Sequence, residues 1–188
     1  FLPGSAPFPL PAPFLEWFTR NGWSPRPHQL DLLARAESGA SSLLIAPTGA
    51  GKTLAGFLPS LVDLHRRGRP KPGTRPYGVH TLYISPLKAL ATDIGRNLKT
   101  PLSEMDLPIT AEARTGDTPP NRRARQRENP PNILMTTPES LALLLSLEDS
   151  DRLFANLRCA ILDELHALAP NKRGVLLSLG LARLQSLA

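Results

Sequence analysis

The sequence predicts an α/β fold, a mostly parallel sheet with helices on both faces, and three observations lead there. Short apolar runs alternate with segments of helical periodicity along the chain. One run, Ser42 to Ile45, reads as a strand and leads into Ala46-Pro47-Thr48-Gly49-Ala50-Gly51-Lys52-Thr53, a glycine-rich turn that opens a helix. Another, Leu157 to Leu162, is apolar apart from Arg158 and ends in Asp163-Glu164. Carboxylates at the C-terminal end of a buried parallel strand lie where such sheets meet their ligands.

Phe1 to Pro13 carries five prolines and reads as an extended arm, so the folded domain is expected over residues 14–188. A helix from about Pro13 to Asn21 is closed by Gly22, and Pro27 suits the first turn of a second that reaches Glu37. The helix from Lys52 to about Arg67 carries Leu54, Phe57, Leu58, Leu61 and Leu64 at helical spacing, with a kink expected at Pro59. Glycines and prolines make residues 68–78 a loop. Val79 to Ile84 is a strand, followed by a helix from Leu87 to Leu98. Ile109 to Ala113 and Ile133 to Met135 are short strands flanking an arginine-rich helix, Asn121 to Asn129. Pro138 opens a helix through Leu147, Cys159 to Leu162 is a wholly apolar strand, and Val175 to Leu187 is a final amphipathic helix.

The first motif has the chemistry of a triphosphate cradle. Gly49, Ala50 and Gly51 present backbone N–H groups, with no side chain in the way at the glycines. Lys52 reaches the β- and γ-phosphates, the Thr53 hydroxyl suits Mg²⁺, and the helix dipole favours the same anion. The broad pattern wants glycine five places before Gly51 (51 − 5 = 46), where this chain has Ala46. At the second motif, Asp163 is suited to hold Mg²⁺ and Glu164 to accept a proton from an attacking water.

At 188 residues the chain is about one domain long. Its net charge, 22 − 16 = +6, permits a polyanionic partner without requiring one. The lone Cys159 sits in an apolar run and is expected to be a buried core thiol. Pro, Gly or charge interrupts every apolar stretch before it reaches membrane-spanning length, and the N-terminus lacks the basic start of a signal peptide, so a cytoplasmic setting is expected. His65, His80 and Cys159 have no metal-ligand spacing, which leaves Mg²⁺ as the only metal expected.

Further segments agree in order. Ala46 to Thr53 together with Asp163-Glu164-Leu165-His166 resembles motifs I and II of superfamily 2 helicases of the DExH type. Gly22-Trp23 followed by Arg26-Pro27-His28-Gln29 resembles the Q motif, with Gln29 at an offset of 52 − 29 = 23 residues before Lys52. Ser85 to Leu90, Arg114 to Thr118 and Thr136 to Leu141 resemble motifs Ia, Ib and Ic. With Lys172-Arg173-Gly174 after the Asp-Glu-Leu-His box, the wording is similar to the large helicase-related (Lhr-type) group, and within it to the bacterial ligase-associated DExH-box DNA helicases.

The resemblance implies a RecA-like ATP-binding domain, with ATP and Mg²⁺ as cofactors. Arg26, Gln29, Thr48, Gly49, Ala50, Gly51, Lys52 and Thr53 would bind nucleotide, and Asp163, Glu164 and Lys52 would carry hydrolysis. Ser85, Lys88, Thr115, Gly116 and Thr137 would touch nucleic acid, and His166 would couple the two activities. Single-stranded DNA is the implied partner, with RNA the alternative, along with a second RecA-like domain. The chain stops before motif III, so it is expected to bind nucleotide but turn it over slowly. The arginine cluster Arg122, Arg123, Arg125 and Arg127 reads either as a solvated helix face or as a phosphate contact. Thr137 also reads as a plain helix cap, and Ser85 as another. A transporter-type ATPase is rejected on order, because Leu177-Ser178-Leu179-Gly180 follows Asp163-Glu164 rather than preceding it. A small-molecule kinase has no need of Gln29, and a non-catalytic nucleic-acid-binding module remains a rival reading.

Overall fold

The computed structural model describes residues 10–47, 49–68 and 78–187. The chain divides into two compact units, Phe1–Arg67 with Pro101–Leu107, and Gly68–Thr100 with Pro108–Ala188.

The first unit is helical. Helix α1 (Ala12–Arg20) buries Phe14, Trp17 and Phe18, α2 (Pro27–Glu37) buries Gln29 and Leu33, and α3 (Lys52–Arg67) buries a stripe that includes Phe57, Leu58, Leu61 and Leu64. Pro59 lies inside α3. Phe14 meets the His65 ring edge-on, and Trp17 packs edge-on against Trp23 while its indole N–H donates to Glu104 at 2.6 Å. The expected proline-rich arm therefore gives way to helix by Ala12, and its residues 1–9 lie outside the described residues. The expected strand Ser42 to Ile45 does not form. The segment pairs with no strand among the described residues, and Leu43 and Ile45 are 75% and 85% exposed. An apolar run marks a segment able to form a strand, but the ladder also needs a partner.

The second unit is a parallel sheet of four strands in the order β2-β3-β1-β4: β1 (Thr81–Ile84), β2 (Ala111–Ala113), β3 (Ile133–Thr136) and β4 (Cys159–Leu162). Ile84 is in register with Thr136 on one side and Leu162 on the other, and Ala113 with Met135. Leu82, Ile84 and Leu134 turn one face into a core with α6 (Pro138–Leu145), α7 (Ser150–Phe154) and α9 (Lys172–Leu187), through Leu141, Leu144, Phe154, Leu177 and Leu184. Alternation sends Met135 to the other face, where its methyl meets Gly95 of α4 (Lys88–Glu104).

Three expectations change. Helix α4 continues through Pro101 to Glu104, burying Leu98 and Leu102 one turn apart, and the unit boundary falls between Thr100 and Pro101. Strand β4 is half-buried rather than fully buried, and Cys159 with it, because β1 is its only strand partner among the described residues. Helices α7 and α8 (Leu165–Leu168) are too short to show a period in the sequence. The arginine-rich α5 (Pro120–Glu128) forms as expected.

Two helical glycines separate space from strain. A Cβ on Gly174 would run into the carbonyl oxygen of Leu168, with that of Ala169 at 3.1 Å, whereas one on Gly95 would lie 2.7 Å from the Met135 methyl. Backbone cannot give way, but the end of a methionine can. Gly174→Ala is expected to lower stability by about 1–3 kcal/mol, against the roughly 1 kcal/mol that helix propensity returns. Gly95→Ala should be close to neutral. Urea midpoints for the two variants give the comparison, and equal shifts would contradict this account.

Candidate nucleotide and nucleic-acid site

The phosphate loop is built as its residue types require. Gly49 and Gly51 take φ of +76° and +74°, a region open to glycine at little cost, and α3 starts at the next residue, Lys52. The Lys52 ammonium folds into the loop and donates to the carbonyls of Ala46 at 2.7 Å and Pro47 at 2.9 Å. Arg26 donates to Gly49 O at 3.2 Å. Gln29, only 3% exposed, accepts from the Arg26 N–H at 2.9 Å through Oε1, and its Nε2 lies 3.1 Å from where a Cβ on Gly51 would sit. Arg26 and Gln29 thereby lie against Gly49 and Gly51, and the φ of Gly51 reserves it for glycine. Thr53 follows on the first turn of α3 and is exposed, Ala50 lies within the loop, and Thr48 is outside the described residues.

The remaining candidates belong to the other unit and share one edge of its sheet, the C-terminal ends of parallel strands. Ser85 follows β1 and is buried; its N–H donates to Thr136 O at 3.0 Å, so it prolongs the ladder rather than capping a helix. Thr137 follows β3 and is the N-cap of α6, its hydroxyl accepting from the Ser140 N–H at 3.4 Å. Thr115 and Gly116 follow β2. Lys88, at the start of α4, lies over Gly116 and pairs with Asp117 at 2.8 Å.

Asp163 and Glu164 follow β4. The Asp163 N–H donates to Ile84 O at 2.9 Å, and its Oδ1 accepts from the Glu164 N–H at 3.0 Å. The Tyr83 hydroxyl donates to the other carboxylate oxygen, Oδ2. Burial, then this hydrogen bond and the Asp163 charge, hold the Tyr83 phenol well above its ordinary range, so it stays a proton donor. Glu164 has φ +49° and ψ +43°, a left-handed conformation that costs a residue with a Cβ about 1–2 kcal/mol. Strain of this kind collects at functional sites. His166, exposed on α8, lies 3.4 Å from the Glu164 carboxylate.

Three groups have contacts that residue patterns did not reveal. Tyr83 is one; a hydroxyl inside an apolar strand was its only signal. Arg123 is the second: its guanidinium donates to Thr118 O at 2.7 Å and Gly116 O at 2.6 Å, fastening the loop after β2. Its neighbours also face protein, Arg122 and Arg125 toward Glu112 and Arg127 toward Asp149. The third is Arg173, which binds Glu139 and Pro86. Among the described residues no three His, Cys, Asp or Glu side chains gather as a metal cluster, and no helix is long and apolar enough to cross a membrane.

Known proteins resemble this chain over most of its length. The Lhr helicase/probable uracil glycosylase of Mycolicibacterium smegmatis is 46% identical over 92% of this chain and 12% of its own length. The ATP-dependent helicase Lhr-Core of Methanothermobacter thermautotrophicus is 42% identical over 92% of the chain and 21% of its own length. The solved structure of Mycobacterium smegmatis helicase Lhr bound to ssDNA and AMP-PNP superposes with a TM-score of 0.83 at 44% identity, covering 95% of this chain and 23% of that one. The chain thus spans between about an eighth and a quarter of the length of these relatives. The family model described as DEAD/DEAH box helicase matches residues 26–188. That span runs from Arg26, against the phosphate loop, to the end of α9, and on it this chain belongs to the DEAD/DEAH box helicase family.

Proposed function

We propose that this chain is the first, ATP-binding RecA-like domain of an ATP-dependent helicase that moves on single-stranded DNA. The observation that carries the reading is the shared strand edge. Leu162, Ile84 and Thr136 are level across β4, β1 and β3, and Asp163-Glu164, Ser85 and Thr137 follow them directly, so groups suited to hydrolysis and groups suited to backbone phosphates are set on one scaffold. The resemblance to an Lhr helicase solved with ssDNA and AMP-PNP favours DNA as the strand and ATP as the nucleotide.

In this reading Gln29 and Arg26 bind the adenine end, the N–H groups of residues 48–51 cradle the phosphates, and Lys52 neutralises the β- and γ-phosphates. Glu164 accepts the proton of the attacking water. Asp163 and Thr53 are the residues that would hold Mg²⁺, since each offers a hard oxygen and this ion takes few protein ligands when phosphates supply the rest. Bound there, it would neutralise charge developing on the transferred phosphoryl group. Tyr83 orients the carboxylate by holding Oδ2. Ser85, Lys88, Thr115, Gly116 and Thr137 hold strand phosphates without reading bases, and His166 beside Glu164 links the carboxylate to the strand.

The deciding measurement is the ATPase rate of the full-length protein with single-stranded DNA, single-stranded RNA or neither. DNA should stimulate most. Glu164→Gln should lower turnover by about 10²–10⁴-fold and keep ATP binding, while Lys52→Ala should lose binding. RNA-favoured stimulation would move the protein to the RNA helicases, and ATP binding that survives Lys52→Ala would refute the nucleotide site.

Tyr83→Phe gives a second test. It leaves Oδ2 without its donor and should raise the Mg²⁺ needed for half-maximal ATPase by roughly 10-fold. The folded phenol has the raised pKa, so its stabilisation is complete at neutral pH and declines as the unfolded phenol ionises above about pH 10. The stability of wild type relative to Tyr83→Phe should therefore shrink above pH 10 in urea titrations. A difference that grows with pH would contradict this assignment.

A further inference from the structure

The Lys172-Arg173-Gly174 segment has a geometry that the proposed chemistry does not use. Arg173 is held at the start of α9 by its own N–H, which donates to Asn171 Oδ1 at 2.9 Å, and by Gly174, whose lack of a Cβ lets the chain pass against Leu168 O. From there its guanidinium makes a fork to Glu139, Nε to Oε1 at 2.5 Å and Nη2 to Oε2 at 3.1 Å. The same Nη2 donates to Pro86 O at 2.6 Å. One side chain thus ties together the segments that follow three neighbouring strands: Pro86 beyond β1, Glu139 beyond β3, and the turn that continues from Asp163-Glu164 beyond β4.

Resting on the function proposed above, we propose that Arg173 is the positioning residue that couples the nucleotide state at Asp163-Glu164 to the grip on nucleic acid. Two features favour coupling over simple bracing. The pair is partly exposed, and ion pairs open to solvent contribute little to stability, whereas a planar fork fixes relative position closely. The partner is also telling. Glu139 sits in the first turn of α6, next to the cap Thr137, where a free carboxylate would repel a strand phosphate. Arg173 bonds that carboxylate, holding it below its usual range, and neutralises it. A shift of the turn after Glu164 would move Arg173 and alter at once the Pro86 loop, which leads to Lys88, and the charge at the α6 N-terminus. The direct route passes only through α8 and Asn171.

The test measures linkage in the full-length protein. The Kd of a single-stranded DNA oligonucleotide is determined with and without AMP-PNP, and the Kd of AMP-PNP with and without the oligonucleotide. The two ratios must agree for a true coupling, typically about 5–150-fold. In Arg173→Ala, AMP-PNP alone should bind as in wild type and thermal melting should be preserved, while both ratios fall at least about fivefold toward one. Glu139→Gln should lower the ratio in the same direction, and the double variant should be no worse than Arg173→Ala. Arg173→Lys should recover only part, because an ammonium cannot reproduce the fork. A wild-type ratio retained in Arg173→Ala, or effects of the two substitutions that simply add, would overturn the inference and leave the helicase reading standing. Wild-type protein that fails to bind the oligonucleotide would overturn that reading, and this inference with it.

Discussion

Parallel pairing constrains everything at this site. Two parallel strands cannot be joined by a tight turn, so each strand must leave the sheet at its C-terminal end and return by a crossover. In the sheet-bearing unit the register is level: Ile84, Thr136 and Leu162 are neighbours across three strands. The segments that turn away from this edge start Ser85-Pro86, Thr137-Pro138 and Asp163-Glu164. Residues far apart in the chain thereby become adjacent without any of them having to stabilise the fold. The core lies elsewhere, in Leu82, Ile84 and Leu134 against α6, α7 and α9, which leaves the edge free for polar chemistry.

Where chemistry needs an unfavourable backbone, the chain supplies it locally. At the phosphate loop the left-handed positions fall on Gly49 and Gly51, where they cost little. At Glu164 the same conformation falls on the residue to which the proposed function gives the proton-accepting role, and it is held by the bond from the Glu164 N–H to Asp163 and by Ala167 N–H to Glu164 O at 2.8 Å. Asp163 is constrained in turn from three sides, by Ile84, Glu164 and Tyr83. A carboxylate fixed in this way is preorganised for a cation, with little reorganisation left for the moment of reaction.

How much of this was legible in the sequence depends on how local the cause is. The phosphate loop, the Thr137-Pro138 helix start and the Asp163-Glu164 strand end are short-range patterns, and each was read correctly as local structure. Helix α5 was likewise plain from its neighbours. The strand Ser42 to Ile45 failed because pairing is a property of two segments. Helix α4 runs past its expected end at Leu98 because burial of Leu98 and Leu102 outweighs the hydrogen bond lost at Pro101. The partners of Tyr83 and Arg173 were invisible for a different reason. Tyr83 lies 80 residues from Asp163, and Arg173 lies 87 from Pro86 and 34 from Glu139, distances that no periodicity spans.

The arginines show how composition misleads about charge. A net charge of +6 permits a polyanionic partner, and the four arginines of α5 read either as a solvated face or as a phosphate contact. In the fold, Arg122 and Arg125 share Glu112, Arg127 takes Asp149, and Arg123 binds carbonyl oxygens after β2. Lys88 pairs with Asp117, Arg66 with Glu37, and Arg173 with Glu139. At the sheet edge Lys88 and Arg173 are therefore already partnered by carboxylates, and a strand arriving beside them exchanges partners rather than meeting a bare positive field. Such exchange returns little energy per phosphate. On the proposed function the grip then depends on how the loops after β1, β2 and β3 are placed, and residues such as Arg123 and Arg173 fasten those loops. A grip of that kind is sensitive to small displacements of its loops, as a motor requires if closing on nucleotide is to change its hold on a strand.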